Sequence, residues 1–275
     1  MIEYVGENLW IGKLGNFFVI LAFVCAIFSS LSYFLAVKRA DDNWKIIARK
    51  FFYAHAFSVV SIVGILFYML IGHFFEYYYI WEHSNKAMPL KFVFSCFWEG
   101  QEGSFLLWTF WHAMIGLILM RKANEWEAPV MSVLSLVQAV LGCMILGIYF
   151  LNYKIGSNPF TVLTREHPDF ANAPFTQMPD YLSKLDGRGL NPLLQNYWMV
   201  IHPPTLFLGF ALTVVPFCFA IAGLWTKKFN EWQKKALPWA FVGVMIFGTG
   251  ILMGGAWAYE ALSFGGFWAW DPVEN

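Results

Sequence analysis

Apolar residues run along this chain in long unbroken blocks, not in the short stripes of a water-soluble helix. Six blocks are long enough to cross a bilayer, near 15–37, 51–72, 103–120, 129–151, 198–225 and 237–256; each crossing takes about 20 residues. Polar residues gather between the blocks. The pattern predicts an all-α polytopic membrane bundle of about six transmembrane helices, a single membrane domain over 1–275 with long outward-facing loops. Pro129 and Pro238 fall where a first helical turn would begin, a position that tolerates a missing N–H. Pro216 lies inside the fifth block and should kink it, which neighbouring helices accommodate in a membrane.

The last block runs into a different texture. From Gly254 to Asn275 the chain reads GGAWAYEALSFGGFWAWDPVEN, with Trp257, Tyr259, Phe264, Phe267, Trp268 and Trp270 interleaved with glycines. Gly265, Gly266 and Pro272 argue against one continuous helix, because glycine adds backbone entropy and proline removes a donor. Indoles favour the boundary between hydrocarbon and water. The expectation is a partly irregular, surface-lying platform of aromatic faces, closing on Asp271, Glu274 and Asn275. Such a platform suits a flat apolar ligand with a polar edge. An aromatic belt that only anchors the chain at the interface is the other reading.

Composition agrees with the pattern: 59% of residues are hydrophobic, 20% aromatic and 13% charged, whereas soluble domains carry about 25% charged residues. Net charge is zero, and no basic stripe offers itself to nucleic acid. The charge that exists sets an orientation. Eleven of the 18 basic residues lie in the short 38–50, 121–128 and 226–236 connections, and most of the others lie in a long loop where the charge rule weakens. Positive-inside then places the N-terminus, the 73–102 and 152–197 segments and the aromatic run outside. Glu3 and Glu7 near the start do not look like a cleaved signal, so the first block reads as retained.

Metal and redox chemistry narrow further. Cys25, Cys96, Cys143 and Cys218 form no CxxC pair and no CxxCH haem-attachment site. Among six histidines, His202 stands out in Val200-Ile201-His202-Pro203-Pro204. The prolines suit a first helical turn and push the preceding residue to an extended conformation, so His202 is expected at or before the N-cap of the fifth span. The positive end of a helix dipole disfavours imidazolium and favours the neutral form that ligates metal. A polar cap and a metal ligand are both compatible with that position. His55 and His112 lie inside predicted spans, where interhelical hydrogen bonding and function are both ordinary. Ser104 and Glu102 read as capping the third span near residue 103.

Four stretches together carry a resemblance. GGAWAYEALSFGGFWAWDPVEN looks like the tryptophan-rich WWD signature of haem-handling proteins in cytochrome c maturation. HPPTLFLGF from His202 resembles the segment of the CcmF/NrfE family that carries an outward-facing haem-ligand histidine. GRGLNPLLQ at 187–195 and WEGQEGSFLLW at 98–108 match further segments of that branch in the same order. Gln101 stands where relatives often have histidine. Relatives continue past the position of Asn275 with more spans, so the chain is expected to be the N-terminal part of a larger cytochrome c assembly protein, with 254–275 the start of its haem-handling segment.

The resemblance implies a haem lyase component of a bacterial inner membrane, presenting b-type, noncovalently held haem on the periplasmic side for attachment to apocytochrome c. It implies His202 as an axial iron ligand, with Trp257, Tyr259, Gly265, Gly266, Trp268, Trp270, Asp271, Pro272, Glu274 and Asn275 in the cofactor-binding segment. Asp271 and Glu274 would repel propionates and are assigned to structural bonds, while Arg188 or Lys184 suits the propionates better. Expected partners are a haem carrier protein, apocytochrome c, other maturation subunits and the lipid bilayer. A haem-delivery module of the CcmC type and a scaffold without haem are the competing readings.

Overall fold

The computed structural model describes residues 6–166, 170, 173–178 and 180–261. Six helices are long and apolar enough to cross a membrane: α1 (Leu9–Arg39), α2 (Asp42–Ile71), α5 (Gln101–Lys122), α6 (Glu127–Leu146), α9 (Tyr197–Trp225) and α10 (Trp232–Glu260). Between them the described residues hold short helices α3 (Tyr78–His83), α4 (Leu90–Ser95), α7 (Leu163–Glu166) and α8 (Tyr181–Lys184). They also hold an antiparallel hairpin of β1 (Ile148–Phe150) and β2 (Tyr153–Ile155). Each apolar block is thus a helix, and the architecture is an all-α polytopic membrane bundle.

Helix ends depart from the apolar blocks for local reasons. Polar residues extend a helix into the headgroup zone wherever propensity allows, and Trp232-Gln233-Lys234-Lys235-Ala236 does so for α10. Pro238 is therefore inside α10, not in its first turn. The third span starts at Gln101 with Gly100 at its N-cap, and Ser104 does not cap it; its hydroxyl donates to the Trp98 carbonyl at 2.9 Å. The fourth span stops at Leu146, where Gly147 turns left-handed (φ 61°), and the tail of that block becomes strand β1. Between α1 and α2, Asp41 caps the new helix by accepting from the Asn43 N–H at 2.9 Å.

Helix α1 packs on α2 and α6, α5 packs on α2, α6 and α9, and α9 runs along α10. Two apolar clusters stack along the bundle. One, around Phe52, Trp126, Leu134 and Phe219, fills the end that carries the basic loops. The other, around Leu66, Met69, Tyr79, Phe97 and Met199, fills the opposite end. There the two long loops form a joint cap. Tyr78 N–H donates to Thr161 O at 2.9 Å, Leu163 N–H to Glu76 O at 2.8 Å, and Arg188 N–H to Trp81 O at 2.7 Å. Arg188 also pairs with Glu82, so the cap is closed by charge as well as backbone.

Candidate functional site at the head of the fifth span

The site is built where α9 begins. Asn196 caps that helix, its side chain accepting from the N–H groups of Trp198 (3.0 Å) and Met199 (3.3 Å). The helix consequently starts at Tyr197, five residues before His202, with Pro203 and Pro204 inside it. This corrects the expectation that His202 sits at or before the N-cap. A proline inside a helix strands the carbonyl four residues earlier. Pro203 strands Met199 O, and the Trp98 indole donates to that oxygen at 2.8 Å. A partner a hundred residues away in sequence thus lets the helix run through the prolines.

Helices α9 and α10 approach closely through glycines. A side chain at Gly209 would put its Cβ 2.6 Å from the Phe247 Cα, and one at Gly250 would put it 3.0 Å from the Leu206 Cα. Because Gly250 lies this near, its carbonyl accepts from His202 Nδ1 at 2.9 Å. That bond assigns the proton to Nδ1 and the lone pair to Nε2, the arrangement second-shell bonds impose on metal-binding histidines. His202 is buried, 6% exposed. Its ring meets the Trp257 ring edge-on, with centroids 5.6 Å apart. The Trp257 indole N–H is buried and has no hydrogen-bond partner among the described residues.

The tryptophan-rich run does not begin as an irregular platform. Gly254–Glu260 continues helix α10, since at these positions the packing against α9 outweighs the small entropic penalty of the glycines. Trp257 faces the packed side and Tyr259 is exposed. Glu260 accepts from Tyr197 Oη at 2.7 Å and Trp198 Nε1 at 2.8 Å, tying the end of α10 to the first turn of α9. Nothing in the sequence singled out Glu260, Trp98 or Gly250 for these roles; each acts through a partner distant along the chain. Gly265, Gly266, Trp268, Trp270, Asp271, Pro272, Glu274 and Asn275 lie outside the described residues.

The other candidates are held elsewhere. Arg188 is engaged by Glu82 and Lys184 by Asp180. His55 Nδ1 bonds the Ala22 carbonyl at 2.8 Å and its Nε2 meets Gln138 Nε2 at 2.9 Å, so both nitrogens are committed. His112 is fully buried and stacks on Trp108, but neither ring nitrogen reaches hydrogen-bond geometry, although the Ala211 carbonyl interacts with it. Burial pushes the Cys96 thiol up to about 12, far from a reactive thiolate. No group of three His, Cys, Asp or Glu side chains converges on one point among the described residues. What the site offers is one imidazole held through Nδ1, an adjoining indole ring and an orphaned indole donor. The donor chemistry fits a haem, which His202 would hold through its iron.

The geometry can be set beside known proteins. The family model described as Cytochrome C assembly protein matches residues 98–275. The chain is 33% identical over 270 residues to the cytochrome c-type biogenesis protein CcmF of Pseudomonas aeruginosa, covering 96% of this chain and 37% of that protein. It is 28% identical over 268 residues to the cytochrome c-type biogenesis protein NrfE of Haemophilus influenzae, covering 96% of this chain and 38% of that one. A solved structure of the cytochrome c haem lyase CcmF superposes with a TM-score of 0.75 at 24% identity, over 96% of this chain and 39% of that one. The chain therefore spans well under half the length of these relatives, and the last comparison speaks for the fold.

Proposed function

From the premise that this chain belongs to the Cytochrome C assembly protein family, within its CcmF/NrfE branch of cytochrome c-type biogenesis proteins, we propose that it is a haem-presenting component of a cytochrome c haem lyase. In this reading haem would be held noncovalently at the head of α9 by His202 and Trp257. When bound, the haem supplies the vinyl groups to which the thiols of an apocytochrome c add. The chain's own residues hold and orient. The Gly250 carbonyl keeps the proton on Nδ1, Trp98 and Glu260 fix the first turn of α9, and the Trp257 indole N–H stands ready for an acceptor on the ligand or on the remainder of the tryptophan-rich run. Trp268 and Trp270 belong to the haem-handling segment in this reading. A haem carrier, apocytochrome c and other maturation subunits are the partners. The protein sits in a bacterial inner membrane with the basic loops inside and this site on the periplasmic face.

The observation that carries the reading is the His202 Nδ1–Gly250 bond beside Trp257, which supports a neutral nitrogen ligand next to an aromatic face. The test is His202→Ala in the complete protein. Cytochrome c maturation should stop and outer-site haem should fall sharply, while membrane insertion stays intact. Added imidazole should restore part of the haem, because it can fill a vacated axial position. Normal maturation without imidazole overturns the ligand assignment.

A further inference from the structure

The β1–β2 hairpin is the part of the chain that the haem reading leaves unused. It starts two residues after the end of α6 and returns to the same point, where Ser157 N–H donates to the Met144 carbonyl at 2.9 Å. Its height in the bilayer is therefore set by a spanning helix. The 23 residues Asn124–Leu146 extend roughly 34 Å at about 1.5 Å per residue, enough to reach the edge of a hydrocarbon core of about 30 Å. The hairpin root thus lies at the boundary between acyl chains and headgroups.

The register divides the hairpin into two faces. Tyr149 opposes Lys154 and Phe150 opposes Tyr153. Since strand side chains alternate, Phe150, Tyr153 and Ile155 share one face while Tyr149 and Lys154 share the other. Leu151 and Asn152 form the tip, both with positive φ (45° and 71°), as a tight two-residue hairpin turn requires. Tyr149, Phe150, Leu151 and Tyr153 are all at least 63% exposed. A lone two-stranded hairpin is marginal in water, so this one needs a surface to lie on.

We propose that the 148–155 hairpin is an interfacial anchor, its Phe150–Tyr153–Ile155 face resting on the acyl boundary and its Tyr149–Lys154 face toward the headgroups. The occupant is the bilayer lipid, because the hairpin continues a lipid-facing surface. Leu136 and Val140 are exposed along α6 below it, and Trp10 is exposed on the first turn of α1 at the same level. Tyrosine and tryptophan prefer that depth. A cavity of about 310 Å³ opens between α1 and the hairpin root, lined by Asn16, Asn158 and Phe160, with Lys13 as its one charged residue. Lys13 there complements a lipid phosphate.

The test uses the protein reconstituted in nanodiscs of phosphatidylcholine and phosphatidylglycerol. An environment-sensitive fluorophore is attached at Leu151→Cys and, as an aqueous reference, at exposed Ser183→Cys; the parent protein supplies the labelling background. Nitroxide lipids labelled near the headgroup should quench the position-151 probe several-fold more than the position-183 probe, and a water-soluble quencher should do the reverse. The double variant Phe150→Ser, Tyr153→Ser should bring the 151 probe to the behaviour of the 183 probe with helix content unchanged. Equal aqueous quenching at both positions in the parent hairpin overturns the proposal. So does shielding of position 151 that arises only when a soluble polypeptide partner is added, which would make the hairpin a protein-docking element.

Discussion

The two ends of this bundle answer the same problem, polar groups held in an apolar medium, in opposite ways. At the end with the basic loops the answer is charge. Glu127, 1% exposed, receives Arg49 through two bonds of 2.6 Å, Tyr33 Oη at 3.1 Å and Lys45 at 3.5 Å. Toward the other end, at the head of α9, the answer is neutral. The His202 imidazole bonds the Gly250 carbonyl and the Trp98 indole takes the carbonyl freed by Pro203. A compensated ion cluster binds helices together and leaves no donor or acceptor over. Bonds to backbone carbonyls fix the direction of a ring without bringing in a charge. The first arrangement suits a structural clamp, the second a site.

The contrast can be broken most forcefully at Glu127. Arg49→Ala leaves a buried carboxylate short of its main partner and should destabilise the protein by about 3 kcal/mol. The drop should show in the thermal midpoint in detergent, and adding Glu127→Gln should recover most of it. If Arg49→Ala is silent, the cluster is not a clamp. A smaller effect is expected from Trp98→Phe, which removes the donor to Met199 O and should lower stability by about 1–3 kcal/mol. If His202 holds haem as proposed, it should, unlike the Arg49 change, also reduce haem in the complete protein, because the turn carrying His202 loses its anchor. Retained haem at full stoichiometry would uncouple Trp98 from the site.

The smallest effect concerns pH. Burial raises the Glu76 carboxyl above its ordinary range, opposed by backbone hydrogen bonds at Glu76 and Asn8 and assisted by nearby Glu7. A carboxyl whose folded pKa lies above its unfolded one binds its proton more tightly when folded. Its contribution is therefore fully present below the unfolded value of about 4.3 and is lost as pH rises through the raised folded value. Thermal midpoints measured across that window should fall with rising pH more steeply in the parent protein than in Glu76→Gln. Parallel slopes would show that Glu76 does not feel its burial.

What the sequence determines by itself is short-range. Six spans follow from apolar block length, because a bilayer imposes one length on every crossing helix. That the basic connections share one end of the bundle is equally local, since each joins consecutive spans. The family is legible in HPPTLFLGF and in the tryptophan-rich run because such motifs are contiguous. Helix boundaries at Pro203 and Gly254–Glu260 depart from the local expectation because a distant partner or neighbouring helix offsets the penalty of proline or glycine, and the one near Pro238 departs because polar residues extend the helix. Only the tertiary structure decided that Trp98 reaches Met199 O, that Gly209 and Gly250 let α10 close on α9, and that His202 consequently spends Nδ1 on a carbonyl. Those bonds join residues from 48 to 101 positions apart. No pattern within one segment encodes such pairings, since they exist only once the helices have chosen their neighbours.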